Sequence, residues 1–142
     1  PGGSGTWRNA SCSTKLAYVC ERSPAFISPT DHHAYRLHTA ALDAAAARVS
    51  CASESGHLAA LETDGERLFV GKNVGIPSWL DASRDSDARF EWPDGTPVDP
   101  NAFASGQPDG TTDTQACLLF NSGDKLADAA CGDAHAFVCE FD

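Results

Sequence analysis

The stretch Gln107–Glu140, QPDGTTDTQACLLFNSGDKLADAACGDAHAFVCE, decides the fold. Cys117, Cys131 and Cys139 stand in a C-x13-C-x7-C-E frame that crosses two short apolar runs, with acidic and amide side chains between them. The cysteine frame reads as a scaffold, and the polar residues Gln107, Asp109, Gln115 and Asp128 read as a candidate site on it.

Outward from this stretch, the chain has 142 residues, six cysteines and a formal charge of -10. Such a length fits one domain and buries a core without help from a metal or a partner. The cysteine number is even, and neither C-x-x-C nor zinc-finger histidine spacing occurs, so the cysteines point to disulfides. Disulfides belong to oxidising compartments, which places the protein among secreted or extracellular chains. A nucleic-acid partner is excluded by the charge, because phosphate neutralisation needs clustered Lys and Arg. No run approaches the roughly 18 apolar residues of a membrane span. The opening PGGSGTWRNAS has neither the basic start nor the apolar centre of a signal peptide, and methionine is absent, as expected of a mature or internal segment.

The C-x7-C-E frame occurs twice. GTWRNASCSTKLAYVCE (Gly5–Glu21) set against DKLADAACGDAHAFVCE (Asp124–Glu140) matches at Ala10, Cys12, Ala17, Val19, Cys20 and Glu21, at a constant offset of 119. A repeated unit follows. Residues 1–23 are then the last strands of a preceding, related domain of the same parent chain, 24–33 a Pro- and Ser-rich linker, and 34–142 the main domain.

Within the main domain, AYRLH (Ala34–His38) alternates as a half-buried strand does. TAALDAAAARVSCAS (Thr39–Ser53) reads as a helix, with Leu42, Ala45, Ala46 and Val49 on its buried stripe and Cys51 in its last turn. Gly56 is expected in a left-handed turn after that helix. Thr63 and Glu66 have capping-box spacing, which starts a second helix that ends near Gly71 or Gly75. Beyond Pro77 come short apolar pieces, Ser78–Ala82, Phe90–Trp92 and Cys117–Phe120, separated by Gly-, Pro- and Asp-rich loops. The polar interval from Pro93 to Ala116 exceeds the usual length of an unstructured connection, so it is expected to be functional, ion-bound or held by internal packing. Helices first and strands after give an α+β class.

At this level of detail, GHLAAL (Gly56–Leu61), WLDA (Trp79–Ala82), FEWPDGTPV (Phe90–Val98), the Gln107-Pro108-Asp109 triplet and the C-x13-C-x7-C-E tail together resemble a C-type lectin-like domain, from about Ala34 to Asp142. The resemblance implies two helices flanking small antiparallel sheets, a long irregular loop region, and disulfides Cys51–Cys139 and Cys117–Cys131. Cys12 and Cys20 match the third and fourth cysteines of the family tail and are expected to pair with each other. Function in this family is non-enzymatic binding of a glycan or protein ligand, and many members hold a sugar through calcium.

Calcium takes six to eight oxygens, and charged ligands tighten it. By the resemblance, a cis bond at Pro108 turns Gln107 and Asp109 toward the ion, in the Gln-Pro-Asp order of galactose-type lectins. Gln115 stands where the family has glutamate, and Leu126-Ala127-Asp128 where it has Trp-Asn-Asp. The calcium and sugar ligands implied are therefore Gln107, Asp109, Gln115 and Asp128, an incomplete set without a donor at Ala127 unless water or an acid such as Asp113 fills the gap. An auxiliary site retains only Asp87, with Gly110 and Ala116 in place of ligands, and no aromatic ring follows the triplet. The alternative is a calcium-independent protein-binding or structural domain.

Other chemistries are weaker. His32, His33, His38, His57 and His135 lack i, i+4 partners and read as surface or packing residues rather than metal ligands. Asp81, Asp85 and Asp87 read as solvated loop acids, and SCASES (Ser50–Ser55) lacks the glycines of a nucleophile elbow. Trp79, Phe90, Trp92 and Phe103 are expected in the core, and Asn9-Ala10-Ser11 fits a glycosylation sequon.

Overall fold

A computed structural model describes residues 25–111 and 114–142. The expected tail of a preceding domain, with Cys12 and Cys20, lies outside the described residues, as does Asp113.

The chain runs β1 (Phe26–Ile27), β2 (Ala34–Leu42), α1 (Ala44–Ser53), β3 (His57–Leu58), α2 (Asp64–Val74), β4 (Ser78–Arg84), β5 (Phe90–Glu91), a short 3-10 turn (Pro100–Ala102), β6 (Cys117–Ser122), β7 (Lys125–Ala129) and β8 (His135–Phe141). The strands form one sheet in the order β1-β2-β8-β4-β6-β7, with β3 also on β8 and β5 also on β4. Its pairs are antiparallel except β4 with β8, which is parallel. The result is an α+β fold with a mixed sheet rather than separate antiparallel ones. Phe26–Ile27, in the stretch read as a linker, pair with Tyr35 and Ala34 and so belong to this sheet.

Apolar runs, rather than alternation, mark the central strands because both faces of the sheet are covered. Leu80, Leu118, Phe120, Leu126 and Val138 enter one cluster with Tyr35, Val70 and Trp92. Their strand neighbours Trp79, Leu119, Ala127, Phe137 and Cys139 enter the other with Ala44, Ala47, Cys51 and Leu58. Each helix closes one cluster. Trp79, Phe90 and Trp92 are buried as expected, and Phe103 is half-buried against the first cluster.

The first helix is shorter than its composition suggests. Thr39–Leu42 continue β2, where Leu42 pairs with His135, and Asp43 accepts a bond from Ala46 N at 2.7 Å to start the helix. An N-cap carboxylate satisfies a backbone donor that has no partner inside the helix. This start rotates the buried stripe to Ala44, Ala47 and Cys51, leaving Val49 71% exposed. The second helix follows expectation, with both halves of the Thr63–Glu66 capping box formed and Gly75 left-handed at its end. Ser55, not Gly56, has the positive φ after α1. Gly56 is required for space instead, since a Cβ there would lie 2.6 Å from the Glu140 carbonyl oxygen.

Two disulfides hold the described residues, Cys51–Cys139 and Cys117–Cys131, the pairings implied by the family resemblance. The first ties α1 to β8, and the second ties the start of β6 to the turn that leads from β7 to β8.

Candidate functional site

The polar interval is held by one buried ion pair. Asp128 sits on β7, opposite Leu118 of β6, and its side chain is fully buried. Its Oδ2 accepts from Arg84 Nη2 at 2.7 Å and from Gly110 N at 2.9 Å, and its Oδ1 accepts from Asp109 N at 3.0 Å. Arg84, at the end of β4, has a side chain only 2% exposed and also donates through Nη1 to the Gly110 carbonyl, while its guanidinium lies 4.8 Å from the Phe90 ring centre. An ionised side chain in the interior is tolerated when paired and hydrogen-bonded, and here each partner of the pair also grips the backbone at Gly110.

The four expected site residues meet here in different roles. Asp128 organises the loop from beneath, and Asp109 is exposed at the surface beside it. The Gln107–Pro108 bond is cis, as the resemblance implies. Gln115 lies directly over Gly110, where a Cβ would approach its Oε1 to 2.2 Å. Gln107 Oε1 and Gln115 Oε1 are both buried without a hydrogen-bond partner. Buried acceptors of this kind are uncommon and point to a missing donor or cation.

Whether calcium fits is decided by these atoms. The two orphaned amide oxygens suit a cation or a hydroxyl donor. Asp128 does not suit calcium, because its carboxylate already receives a guanidinium and two backbone N–H groups. Ala127 is a buried core methyl in the Trp79–Phe137 cluster, so no donor is available at that position. At the auxiliary position, Asp87 is exposed and bonds Arg89 Nη2 at 3.2 Å, and Gly110 and Ala116 offer no side-chain donor.

Arg84 escaped the sequence reading because an arginine in SWLDASRDSDARF carries no motif. The available signal was indirect: the ligand set had lost charge at Gln115 and a donor at Ala127 while keeping Asp128, and a carboxylate kept in a core needs some cation. A second missed feature is a cavity of about 390 Å³ beside the triplet, walled by Phe90, Val98, Pro100, Phe103 and Pro108. Its two rings come from distant sequence, so the absence of an aromatic after Asp109 did not reveal them.

Comparison with known proteins places this geometry. A type-2 ice-structuring protein of Hemitripterus americanus is 28% identical over 134 residues, which cover 89% of this chain and 82% of that protein. One from Brachyopsis segaliensis is 28% identical over 95 residues, 66% of this chain and 56% of that protein, so the chain spans little more than half of that relative. Among solved structures, a calcium-independent type II antifreeze protein superposes with a TM-score of 0.70 at 22% identity, over 90% of this chain and 98% of that one. The carbohydrate-recognition domain of the mouse scavenger receptor C-type lectin gives 0.68 at 22% identity, over 78% and 90%. Both superpositions speak to the fold. The lectin C-type domain model matches residues 41–141, from the end of β2 through β8, and the chain therefore belongs to the C-type lectin domain family.

Proposed function

We propose that this domain is a non-enzymatic extracellular binding module that takes a hydroxyl-rich ligand, a glycan in the first instance, without calcium. The observation that carries this reading is the Arg84–Asp128 pair: the guanidinium supplies the positive charge beneath the loop and occupies the carboxylate that calcium needs. The exposed acceptor at the rim is the Asp109 carboxylate, and the orphaned oxygens of Gln107 and Gln115 are buried within the loop, where they accept a hydroxyl that enters it. The adjacent Phe90–Phe103 hollow receives the apolar face of the ligand. A concave apolar wall with a few convergent polar groups is the general form of a small-ligand site. The fold is shared by a calcium-independent type II antifreeze protein and by a Ca2+-dependent one, so the fold itself does not require the ion.

The second reading is calcium-dependent, galactose-type sugar binding through Gln107, Asp109, Gln115 and Asp128. It is favoured by the two orphaned amide oxygens, which a cation would satisfy. A thermal melt separates the two readings. A ligand that binds only the folded state raises stability by about 2.7 kcal/mol at a hundredfold excess over Kd. The calcium-free reading expects no Tm difference between 5 mM calcium and chelator, together with glycan-array binding that persists in chelator and is lost in Q107A. A calcium-dependent Tm rise, with retention on galactose-agarose only in calcium, decides for the second. Absence of glycan binding under both conditions would leave the calcium-independent protein-binding or structural role.

A further inference from the structure

We infer that His33 is a pH-sensitive latch: its charged imidazole holds residues 25–33 against β8, and its neutral form loosens them. Phe26 and Ile27 pair with Tyr35 and Ala34, and the Phe26 ring lies 5.9 Å from the ring centres of both Tyr35 and Phe69. Beyond them the chain turns back on itself. Ser28 N donates to the His33 carbonyl at 2.9 Å, His32 N to the Ser28 carbonyl at 3.1 Å, and His33 N to Asp31 Oδ1 at 2.8 Å. These bonds close the turn internally, and the His33 side chain ties it to the sheet, with Nδ1 2.7 Å from Glu140 Oε1.

Glu140 makes that bond an ionic one. Its side chain is 3% exposed, beside the Cys51–Cys139 bond, and it accepts from Ala60 N at 3.0 Å and from Tyr35 Oη at 3.3 Å. Neither of those donors carries a charge, and a buried carboxylate calls for one. Among the described residues, the groups within ion-pair distance of Glu140 that can be cations are the imidazoles of His33 and His57, the latter 4.0 Å away. His57 Nδ1 also faces the Leu58 carbonyl at 3.1 Å, so His33 is the closer and better-aimed source of charge.

His33 faces carboxylates from three elements. Asp142 of β8 stands 3.9 Å from Nδ1, while Asp31 of the same turn and Glu66 of α2 each bring a carboxylate oxygen within 4.8 Å of a His33 ring nitrogen. From β2 comes the neutral Tyr35 phenol, and from β3 His57, on Asp142 at 3.3 Å. The bond to Glu140 raises the His33 pKa above the ordinary histidine value, against the opposing effect of burial. Burial raises Glu140 as well, so both groups hold protons more tightly in the docked state. Docking is then at full strength below about 6.5, the ordinary histidine value, and weakens as pH rises through the raised one. Neutral His33 keeps an N–H for Glu140, but a charge-assisted bond is about twice as strong as a neutral one. The segment therefore loosens without leaving. With 34% of the His33 side chain exposed, the proton exchanges directly with solvent.

The test is amide hydrogen exchange by NMR from pH 5.5 to 9, corrected for intrinsic exchange and run in chelator beside an imidazole titration. Protection of the Ser28 and His32 amides is expected to fall roughly tenfold for each unit by which the His33 pKa is raised, with its midpoint at the His33 titration. Ala59 N, bonded to the Val138 carbonyl at 2.8 Å in the core, is expected to keep its protection. H33Q retains a neutral donor and is expected to lose the pH step, whereas H57Q keeps it. Flat Ser28 and His32 protection in the wild type, a midpoint away from the His33 titration, a parallel fall at Ala59, or a step that survives in H33Q would each overturn the latch. The first three readings use the wild-type chain alone and so do not depend on how well H33Q folds. The latch lies away from the Gln107 loop and does not rest on its proposed ligand, so either result leaves the calcium melt as it stands.

Discussion

Arg84 Nη2 and Asp128 Oδ2 meet at 2.7 Å with both side chains sealed from water, and Gly110 is bonded to both residues. One ion pair thus fixes the backbone that follows the Gln107-Pro108-Asp109 triplet. Removing the cation leaves a buried charge without compensation, at a cost of about 3–5 kcal/mol. R84M is expected to lose that much stability in urea unfolding, and the R84M D128N double variant to lose less than the sum of the single changes. Strict additivity would show that the two groups do not act as a pair.

The two disulfides are expected to differ in worth because they close loops of different length. With separations of 88 and 14 residues, the chain-entropy relation gives about 4.6 kcal/mol for Cys51–Cys139 and about 3.0 kcal/mol for Cys117–Cys131. C51A C139A should therefore lower the denaturant midpoint more than C117A C131A. The reverse order would mean that native-state packing around Cys131, not loop closure, sets the contribution.

Helix α2 packs its backbone against the β6–β7 turn. A Cβ on Gly71 would sit 2.6 Å from Asp124 Cα and 2.9 Å from Asp124 N, and both are backbone atoms that cannot rotate away. G71A is expected to cost about 1–3 kcal/mol, the usual range for overpacking. It should also loosen the Arg67–Asp124 pair, 2.6 Å long, at the same contact. A wild-type Tm would refute the contact.

Glu62 carries a pH signature. Burial raises its pKa above the ordinary carboxylate value, reinforced by the charges of Glu66 and Asp94. The folded state then binds more protons than the unfolded one in the window just above that value, and stability falls as pH rises through it. E62Q should be more stable than wild type at pH 7 and equal to it at pH 3, where both side chains are neutral. Chemical denaturation at the two pH values checks the sign.

The sequence exposed those features that are written locally. The capping box at Thr63 and Glu66, the end of that helix near Gly75 and the apolar run at Cys117–Phe120 all depend on residues within one element, and all appear in the structure. The first helix was overextended because helix propensity in Thr39–Leu42 is outweighed by pairing of β2 with β8, a contact nearly a hundred residues away in sequence. Arg84 was illegible for the same reason, since its meaning comes from Asp128 on another strand. His33 and His57 looked isolated in sequence, and only the packing of β3 and of the segment before β2 against β8 brings them to Glu140 and Asp142.

Strand order has a mechanical consequence. Phe26 pairs with Tyr35, and Tyr35 pairs with Glu140, so the two ends of the described domain leave the sheet about two strand spacings, or roughly 10 Å, apart. Force applied between these two ends is carried by β1, β2 and β8, with β8 tied to α1 by the Cys51–Cys139 bond. The Gln107 loop, anchored on the β4–β6–β7 side, lies outside that load path.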